Sequence, residues 1–283
     1  MAAVRNNTLY AKIFHGVLLY SPGLGTSGMA DELFDAWCSE QQIPAKTCVL
    51  HLLGEKLGAQ SKAIAVLQEL VPKHYCKPAL ISKWLKKWGY RKALKVVRDN
   101  LPEDKKARSG DLGEILATEY VNRRLEFRVP IFRLRWRDHR ELALRGDDIF
   151  AVKLDDEGKI HFLKGEAKSR QVLAPDVITA ASLALSTYDG RPSPHTINFV
   201  VNQLNDMNED ELCDAIEDYL TSKRIPKKRV THLLFAFCGN NPQTQLQAHV
   251  TGYSGTIQRI VVGLRVKDHG ALVKTVYAGV KLA

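Results

Sequence analysis

Two short segments contain residue types that together can bind a metal ion and activate water. The first carries Asp147 and Asp148, and the second carries Glu166, Ala167 and Lys168. Side chains of a β-strand alternate between two faces, so Glu166 and Lys168 share one face. Paired carboxylates suit Mg²⁺, which prefers carboxylate oxygens and retains several waters. A bound metal ion of this kind supports hydrolysis of phosphate esters.

The turn between these segments predicts how they pair. A three-residue hairpin loop favours glycine at its third position, where φ is positive, and the loop 156–158 ends in glycine. This loop pairs Asp155 with Lys159. Counting back along both strands then places Asp148 directly opposite Glu166. Such residues have Cβ atoms about 4.5–5.5 Å apart.

Two carboxylates at that distance repel each other unless a proton or a cation lies between them. The pairing therefore predicts a cation site in which Lys168 orients or deprotonates a water bound to the ion. Two alternatives remain open. In a register shifted by one residue, Asp147 replaces Asp148 as the ligand. A surface ion pair between Glu166 and Lys168 would explain these two residues without any chemistry.

The elements around these segments follow an α/β pattern. The segment 100–110 is polar and predicts a boundary between an N-terminal α/β segment, residues 1–104, and a second domain, residues 105–283. Helix, three strands, helix and strand after this boundary predict a mixed β-sheet flanked by helices. Strands are predicted at residues 10–20, 131–137, 142–154, 159–168, 196–201, 230–237 and 257–266. Helices are predicted at residues 29–41, 60–70, 112–124, 175–187, 209–222 and 272–280, with basic helices between residues 73 and 108 that are interrupted near Gly89.

Positive charge predicts a polyanionic partner. The 283 residues carry a formal net charge of +10, which favours nucleic acid or an acidic membrane surface. Residues 133, 135 and 137 are arginines that alternate with apolar residues, which predicts one basic face of a strand. The candidate phosphate contacts are Arg133, Arg135, Arg137, Arg145, Lys86 and Lys87. For both the arginines and the lysines, the alternative is a charged surface that contacts only solvent. The acidic helix at 209–222 is better suited to a protein partner than to phosphate.

The remaining sequence features exclude several classes of protein. The first residues lack the order of a signal peptide, and no apolar run approaches the roughly 20 residues that span a bilayer, so we expect a cytoplasmic protein without membrane contact. The five cysteines are scattered and never form Cys-x-x-Cys, which argues against disulfides and zinc. The sequence contains no P-loop, so ATP hydrolysis by this chain is not expected.

The pattern of acidic residues and lysine resembles a known family of nucleases. Asp148, then Glu166, Ala167 and Lys168 on the next strand, with Glu114 on a preceding helix, are similar to the PD-(D/E)XK restriction-endonuclease-like nucleases. The likeness covers residues 111–201. More narrowly, Gly113 and Glu114, residues 145–148 and residues 165–168 resemble the HamA family of the Hachiman antiphage defence system. The resemblance implies Mg²⁺-dependent hydrolysis of phosphodiester bonds (with Mn²⁺ as an alternative ion), a role in bacterial defence and a helicase-like partner subunit.

The resemblance also assigns roles to individual residues. Asp148 and Glu166 would bind the metal together with the main-chain carbonyl of Ala167, and Lys168 would act on the water. Glu114 would add a carboxylate from the helix, although it also has the spacing of a capping box with Asp111. Aspartate 147 stands where the family name has proline.

We therefore expect a DNA endonuclease with little sequence preference. A non-catalytic nucleic-acid-binding or regulatory subunit with the same fold is the alternative from another class of protein. A ribonuclease is the third candidate.

Overall fold

A computed structural model describes residues 33–137, 139–141, 146–221 and 224–282. Strands are β1 (Cys38–Pro44), β2 (Cys48–Glu55), β3 (Ile149–Leu154), β4 (Ile160–Arg170), β5 (Val230–Cys238) and β6 (Gln258–Arg265). Helices are α1 (Phe34–Trp37), α2 (Gln60–Tyr75), α3 (Pro78–Asp99), α4 (Lys105–Arg124), α5 (Pro175–Ser186), α6 (Pro194–Asp206), α7 (Asp210–Thr221), α8 (Gln243–Gly252) and α9 (His269–Ala278).

The six strands form one mixed sheet in the order β1-β2-β6-β5-β4-β3. The four central strands are parallel, and β1 and β3 pair antiparallel at the two edges. All but one residue of β5 is buried, as expected for a strand covered on both faces. The predicted mixed sheet flanked by helices is therefore confirmed. Within the described residues, no helix has the length and apolar character needed to cross a bilayer.

Helices cover the two faces of the sheet with separate apolar clusters. On one face, α2, α4 and α9 pack together through residues such as Leu67, Leu116 and Val276. On the other face, α6 and α7 cover β3 and the start of β4, and α5 and α8 cover the middle of the sheet. The sheet contains strands from both sides of residue 104. The predicted domain boundary itself stays a prediction.

The predicted strand at residues 131–137 is wrong. A short 3-10 helix, Arg133–Trp136, replaces it. Among the described residues, the outer edge of β3 pairs only through the isolated bridge between Arg128 and Val152. Leu134 is buried in the α2–α4 cluster. The alternation of arginine and apolar residues therefore does not form two faces of a strand.

The predicted strand at residues 196–201 is also wrong, because this segment lies inside α6. Ser193 caps the helix by accepting a 3.0 Å hydrogen bond from the N–H of Thr196, and a proline occupies the first turn. Both are helix-start signals. Ile197, Val200 and Leu204 then recur at helical spacing on the buried face.

The helix predicted at residues 29–41 is only partly correct. Residues 29–32 lie outside the described residues, as does the strand predicted at 10–20. Helix α1 covers only Phe34–Trp37, and the chain then enters β1, which pairs with β2 along its whole length. The predicted strand at 142–154 begins instead at Ile149, with residues 142–145 outside the described part. The break near Gly89 is confirmed, since this residue has φ +75° within α3.

A buried ion-pair network between α2 and α4 predicts acid sensitivity. Burial raises the pKa of Glu119, but the hydrogen bond and charge of His74 and the charge of Arg123 outweigh it and lower the pKa to about 2. Because the folded-state pKa lies below the unfolded value, Glu119 stabilises the fold above about pH 4.5 and loses this effect as the pH falls towards 2.

We expect Glu119→Gln to lower the free energy of unfolding by on the order of 2–3 kcal/mol at neutral pH and by much less at about pH 3. Urea unfolding at both pH values would measure this. Glu126→Gln is the matched control because the side chain of Glu126 is 83% exposed. An equal loss of unfolding free energy for Glu119→Gln at both pH values would contradict the proposed link between stability and the lowered pKa of Glu119.

Candidate functional site

The hairpin of β3 and β4 has the predicted register. Gly158 has φ +74°, and its N–H donates to the carbonyl of Asp155 at 2.9 Å. The ladder runs from Leu154 opposite Ile160 to Ile149 opposite Gly165. Asp148 and Glu166 are the next two residues in this register. The predicted register is therefore confirmed along the ladder, and the two carboxylates lie directly beyond its last pair.

Asp148 lies at the point where β3 begins, and its side chain faces the end of β4. Its Oδ2 accepts a 3.0 Å hydrogen bond from the N–H of Ala167. The guanidinium Nη1 of Arg133 lies 3.9 Å from its Oδ1. Burial raises the pKa of Asp148, while the Ala167 N–H and the charges of Arg133 and Lys168 partly offset this effect.

Glu166 and Lys168 lie on the same face of β4, as predicted, and form an ion pair. Their side chains are 15% and 24% exposed. Burial and the negative charge of Asp148 raise the pKa of Glu166 to about 7, although Lys168 acts in the opposite direction. A carboxylate whose proton affinity is raised by a neighbouring carboxylate marks a place where positive charge is favoured.

Glu114 reaches the same cluster from α4. Burial and the charge of Asp148 raise its pKa to about 8. The N-terminal cap of α4 is Asp104, whose Oδ1 accepts from the N–H groups of Lys106 and Ala107 at 2.8 Å. Glu114 therefore stands inside the helix, well beyond its first turn, and the capping role suggested by its spacing from Asp111 is wrong. The carboxyl group of Glu114 therefore interacts with the carboxylate cluster and does not cap the helix.

Asp147 has a different environment from Asp148. Its Oδ2 accepts a 2.7 Å hydrogen bond from the N–H of Ser193, and its Oδ1 lies 3.5 Å from Nζ of Lys164. Its own N–H donates to Thr196 Oγ1 at 2.9 Å. Asp147 thus joins the start of β3 to the start of α6, while the adjacent Asp148 faces the carboxylate cluster.

The arginines predicted to hold phosphate have several environments. Arg135 donates through Nε and Nη2 to the carbonyl of Lys73, and Arg137 forms a bidentate pair with Asp111 at 2.6 and 2.7 Å. Arg133 donates to the carbonyl of Asp147 and lies beside Asp148. Lys86 and Lys87 are exposed on α3, and Arg145 lies outside the described residues.

A cleft of about 500 Å³ opens beside the cluster. Glu114, Arg133 and Asp148 line it together with His74 and Thr196. His74 is not a predicted member of the site. The contact depends on α2 packing against the 3-10 helix, where His74 stacks on Phe132 with ring centroids 4.4 Å apart. No local pattern in the sequence signals such a contact.

The donor groups fit a hydrated Mg²⁺ ion. Among the residues that the structure describes, no three His, Cys, Asp or Glu side chains form a ready metal cage. Mg²⁺ needs fewer protein ligands, because it keeps several waters and is usually held by one or two carboxylates. Asp148 and Glu166 would supply these. The carbonyl of Ala167 points to the same side as its N–H, towards Asp148, because both groups of a strand residue face one neighbour.

The crowding of carboxylates predicts that the metal-free site destabilises the fold at high pH. Glu114 has a folded-state pKa of about 8 against an ordinary value of 4.5. The folded state therefore binds an extra proton between these values, and stability decreases as the pH rises. We expect Glu114→Gln to raise the free energy of unfolding by on the order of 2 kcal/mol at about pH 9 and to have little effect at about pH 5.

Denaturant unfolding in EDTA at the two pH values would measure this gain. Glu126→Gln removes an exposed carboxylate and should show no pH-dependent gain. Loss of stability for Glu114→Gln at about pH 9 would mean that Glu114 is stabilised by its neighbours.

Fold and site together define a mixed α/β protein with a carboxylate and lysine cluster at one end of its edge hairpin. Residues 31–280 match the family model for HamA, and the chain belongs to the HamA family. It is 26% identical over 136 residues to the Hachiman protein HamA of Bacillus cereus. This match covers 47% of the chain and spans about half, 48%, of that relative.

Proposed function

We propose that this protein is a metal-dependent nuclease of the PD-(D/E)XK type that cleaves DNA with little sequence preference. The observation that carries the proposal is that Asp148 and Glu166 directly follow the last pair of the hairpin ladder, Ile149 with Gly165, with Lys168 in contact with Glu166. Nucleases of this type need two carboxylates and a lysine in this arrangement. Asp148, Glu166 and Lys168 follow one another along the chain in the order that the resemblance to these nucleases implies.

Each residue of the cluster has a distinct task in the proposed reaction. Asp148, Glu166 and the carbonyl of Ala167 would hold Mg²⁺, and Glu114 would add negative charge from α4. When bound, the ion supplies Lewis-acid stabilisation of the phosphate charge and lowers the pKa of water. Lys168 would orient the attacking water, and only its neutral form, after loss of the ammonium proton to solvent, would accept the proton of that water. Arg133, beside Asp148, would contact a phosphate oxygen.

The physical properties of the chain support DNA as the substrate. A net charge of +10 favours a polyanion. Contacts with the backbone position nucleic acid without reading its sequence, and the chain shows no recognisable module that reads bases. We therefore propose cleavage without sequence preference.

The proposed biological role is that of the effector in a Hachiman antiphage defence system. Membership of the HamA family and the similarity to a Hachiman protein support this role. Because the chain has no P-loop, movement along DNA would depend on a second protein, and we propose a helicase-like subunit.

The deciding experiment is cleavage of supercoiled plasmid DNA by the purified chain, alone and with any protein that co-purifies. We expect cutting with Mg²⁺ or Mn²⁺ and none with EDTA. Labelled RNA of the same sequence distinguishes a ribonuclease, and DNA fragments of unrelated sequence test specificity. Cutting confined to one short site would refute the proposed lack of specificity.

A second candidate is a nucleic-acid-binding subunit without catalysis. The ion pair between Lys168 and Glu166 favours it, because this pair neutralises one carboxylate without a metal ion. This candidate predicts normal DNA binding and no cleavage of DNA or RNA under any metal or partner condition.

A further inference from the structure

Three basic residues form a row across the middle of the sheet. Lys164 on β4 pairs with His232 on β5, and His232 pairs with Arg259 on β6. Paired residues in neighbouring strands point to the same face, here the face covered by α5 and α8. Their exposed fractions are only 2%, 2% and 1%. The two cations of this row, Lys164 and Arg259, are buried and therefore require nearby negative charge or strong hydrogen-bond acceptors.

The two ends of the row differ in how their charge is balanced. Lys164 lies 3.5 Å from Asp147 and donates to Thr187. Arg259 has no carboxylate partner among the described residues. Its Nη1 donates to Ser182 Oγ at 2.8 Å and to His249 Nε2 at 3.2 Å, and its Nη2 donates to His232 Nδ1 at 3.2 Å. Its buried Nε has no hydrogen-bond partner.

Both histidines contact Arg259 as neutral acceptors. His232 donates through Nε2 to the carbonyl of Gly190 at 2.7 Å, so its Nδ1 is free to accept from the guanidinium. Burial and the nearby cations lower the pKa of His232 to about 4. Burial and Arg259 also lower the pKa of His249. Because His249 accepts at Nε2, its proton is on Nδ1. The charge of Arg259 is therefore surrounded by neutral groups alone.

An open cleft of about 750 Å³ is lined by residues that contact Arg259. These residues are Ser182, His249 and Tyr253, and they line the cleft beside Arg259, which is itself buried. The guanidinium carbon lies 4.0 Å from the centroid of the Tyr253 ring. Ser182 accepts from Arg259 with its oxygen, so its own hydroxyl hydrogen can point into the cleft, as can Nδ1–H of His249.

We propose that this cleft is a binding site for a phosphate group, with Ser182 and His249 as direct donors and the charge of Arg259 behind them. Hydrogen bonds from the guanidinium polarise both groups and strengthen them as donors. An anion in the cleft would supply the negative charge that Arg259 lacks. Phosphate accepts several hydrogen bonds at once, which matches two donors side by side.

This site is separate from the carboxylate cluster. Arg259 and His232 lie near the N-terminal ends of β6 and β5, whereas Glu166 and Lys168 lie towards the C-terminal end of β4. The proposal therefore does not depend on nuclease activity.

Calorimetric titration of the full chain in EDTA tests the proposal, since the metal-free carboxylate cluster repels anions. The ligands are inorganic phosphate, adenosine 5′-monophosphate and acetate. We expect one saturable site for phosphate at millimolar or lower concentration. His249→Ala and Ser182→Ala should each weaken it by about tenfold. These two rim residues are chosen because loss of the buried Arg259 could prevent folding.

Gln247→Ala is the control, because Gln247 is exposed on α8 and does not line the cleft. It should bind phosphate like the wild type. Tighter binding of the monophosphate than of phosphate would support a nucleotide as the source of the group, and equal binding would support free phosphate. The proposal is overturned if the wild type shows no saturable binding, if both rim variants bind like the wild type, or if acetate binds as tightly as phosphate.

Discussion

Glu166→Ala and Lys168→Ala should each reduce metal-dependent DNA cleavage by about a hundredfold or more. Glu166→Ala removes one of the two carboxylates proposed to hold the ion. Lys168→Ala leaves both carboxylates in place and removes only the group proposed to act on water. Both side chains are partly exposed, so neither substitution leaves a cavity in the core, and both variants should stay folded.

Plasmid cleavage and DNA-binding affinity of the same preparations would separate catalysis from binding. Lys153→Ala is a matched control, since Lys153 lies on the neighbouring strand of the hairpin and pairs with Glu126. We expect the control to cut like the wild type. If Glu166→Ala and Lys168→Ala also cut at the wild-type rate, the hairpin is not the catalytic site. If the wild type never cuts, the binding-subunit candidate takes precedence.

Substitution of the two adjacent aspartates should have opposite consequences. Asp148→Asn should abolish cleavage, because it removes a carboxylate from the cluster, and should leave stability equal or higher, because repulsion of Glu114 and Glu166 decreases. Asp147→Asn should instead lower the free energy of unfolding by about 3 kcal/mol. This substitution leaves Lys164, which is 2% exposed, without its buried counter-charge.

Denaturant unfolding and plasmid cleavage of both variants would measure these effects. Under conditions where Asp147→Asn is folded, it should retain a substantial part of the activity, since Asp147 only positions the start of β3. The reverse pattern, with Asp147→Asn inactive but stable and Asp148→Asn active, would show that Asp147 is the ligand.

The hairpin could be predicted from the sequence because its information is local. One glycine at the end of a three-residue loop determines the register of β3 and β4, and alternation then places Asp148, Glu166 and Lys168 on one face. The same alternation failed for residues 131–137. Arg137 there pairs with Asp111 of α4, and Arg135 donates to the carbonyl of Lys73. Both partners are distant in sequence, so no local pattern reports them.

The segment 196–201 shows a different kind of error. Its β-branched residues favour a strand, but Ser193 and Pro194 start a helix and Asp147 accepts from the N–H of Ser193. The row of Lys164, His232 and Arg259 could not be predicted at all. It depends on the register between parallel strands, which is determined by the packing of helices between them and not by a turn.

The pairing of β2 with β6 also determines when the site can form during synthesis. Cys48 pairs with Arg259, so the sheet joins residues that are more than 200 positions apart in the chain. Contacts of such high sequence separation form late, because a long loop must close first. The β3–β4 hairpin can form early, but the sheet beside it is incomplete until β5 and β6 have left the ribosome. A nascent chain of this protein would therefore carry the carboxylates and the lysine without the folded support that holds them together, so the proposed DNA-cutting activity would begin only after β6 has been synthesised.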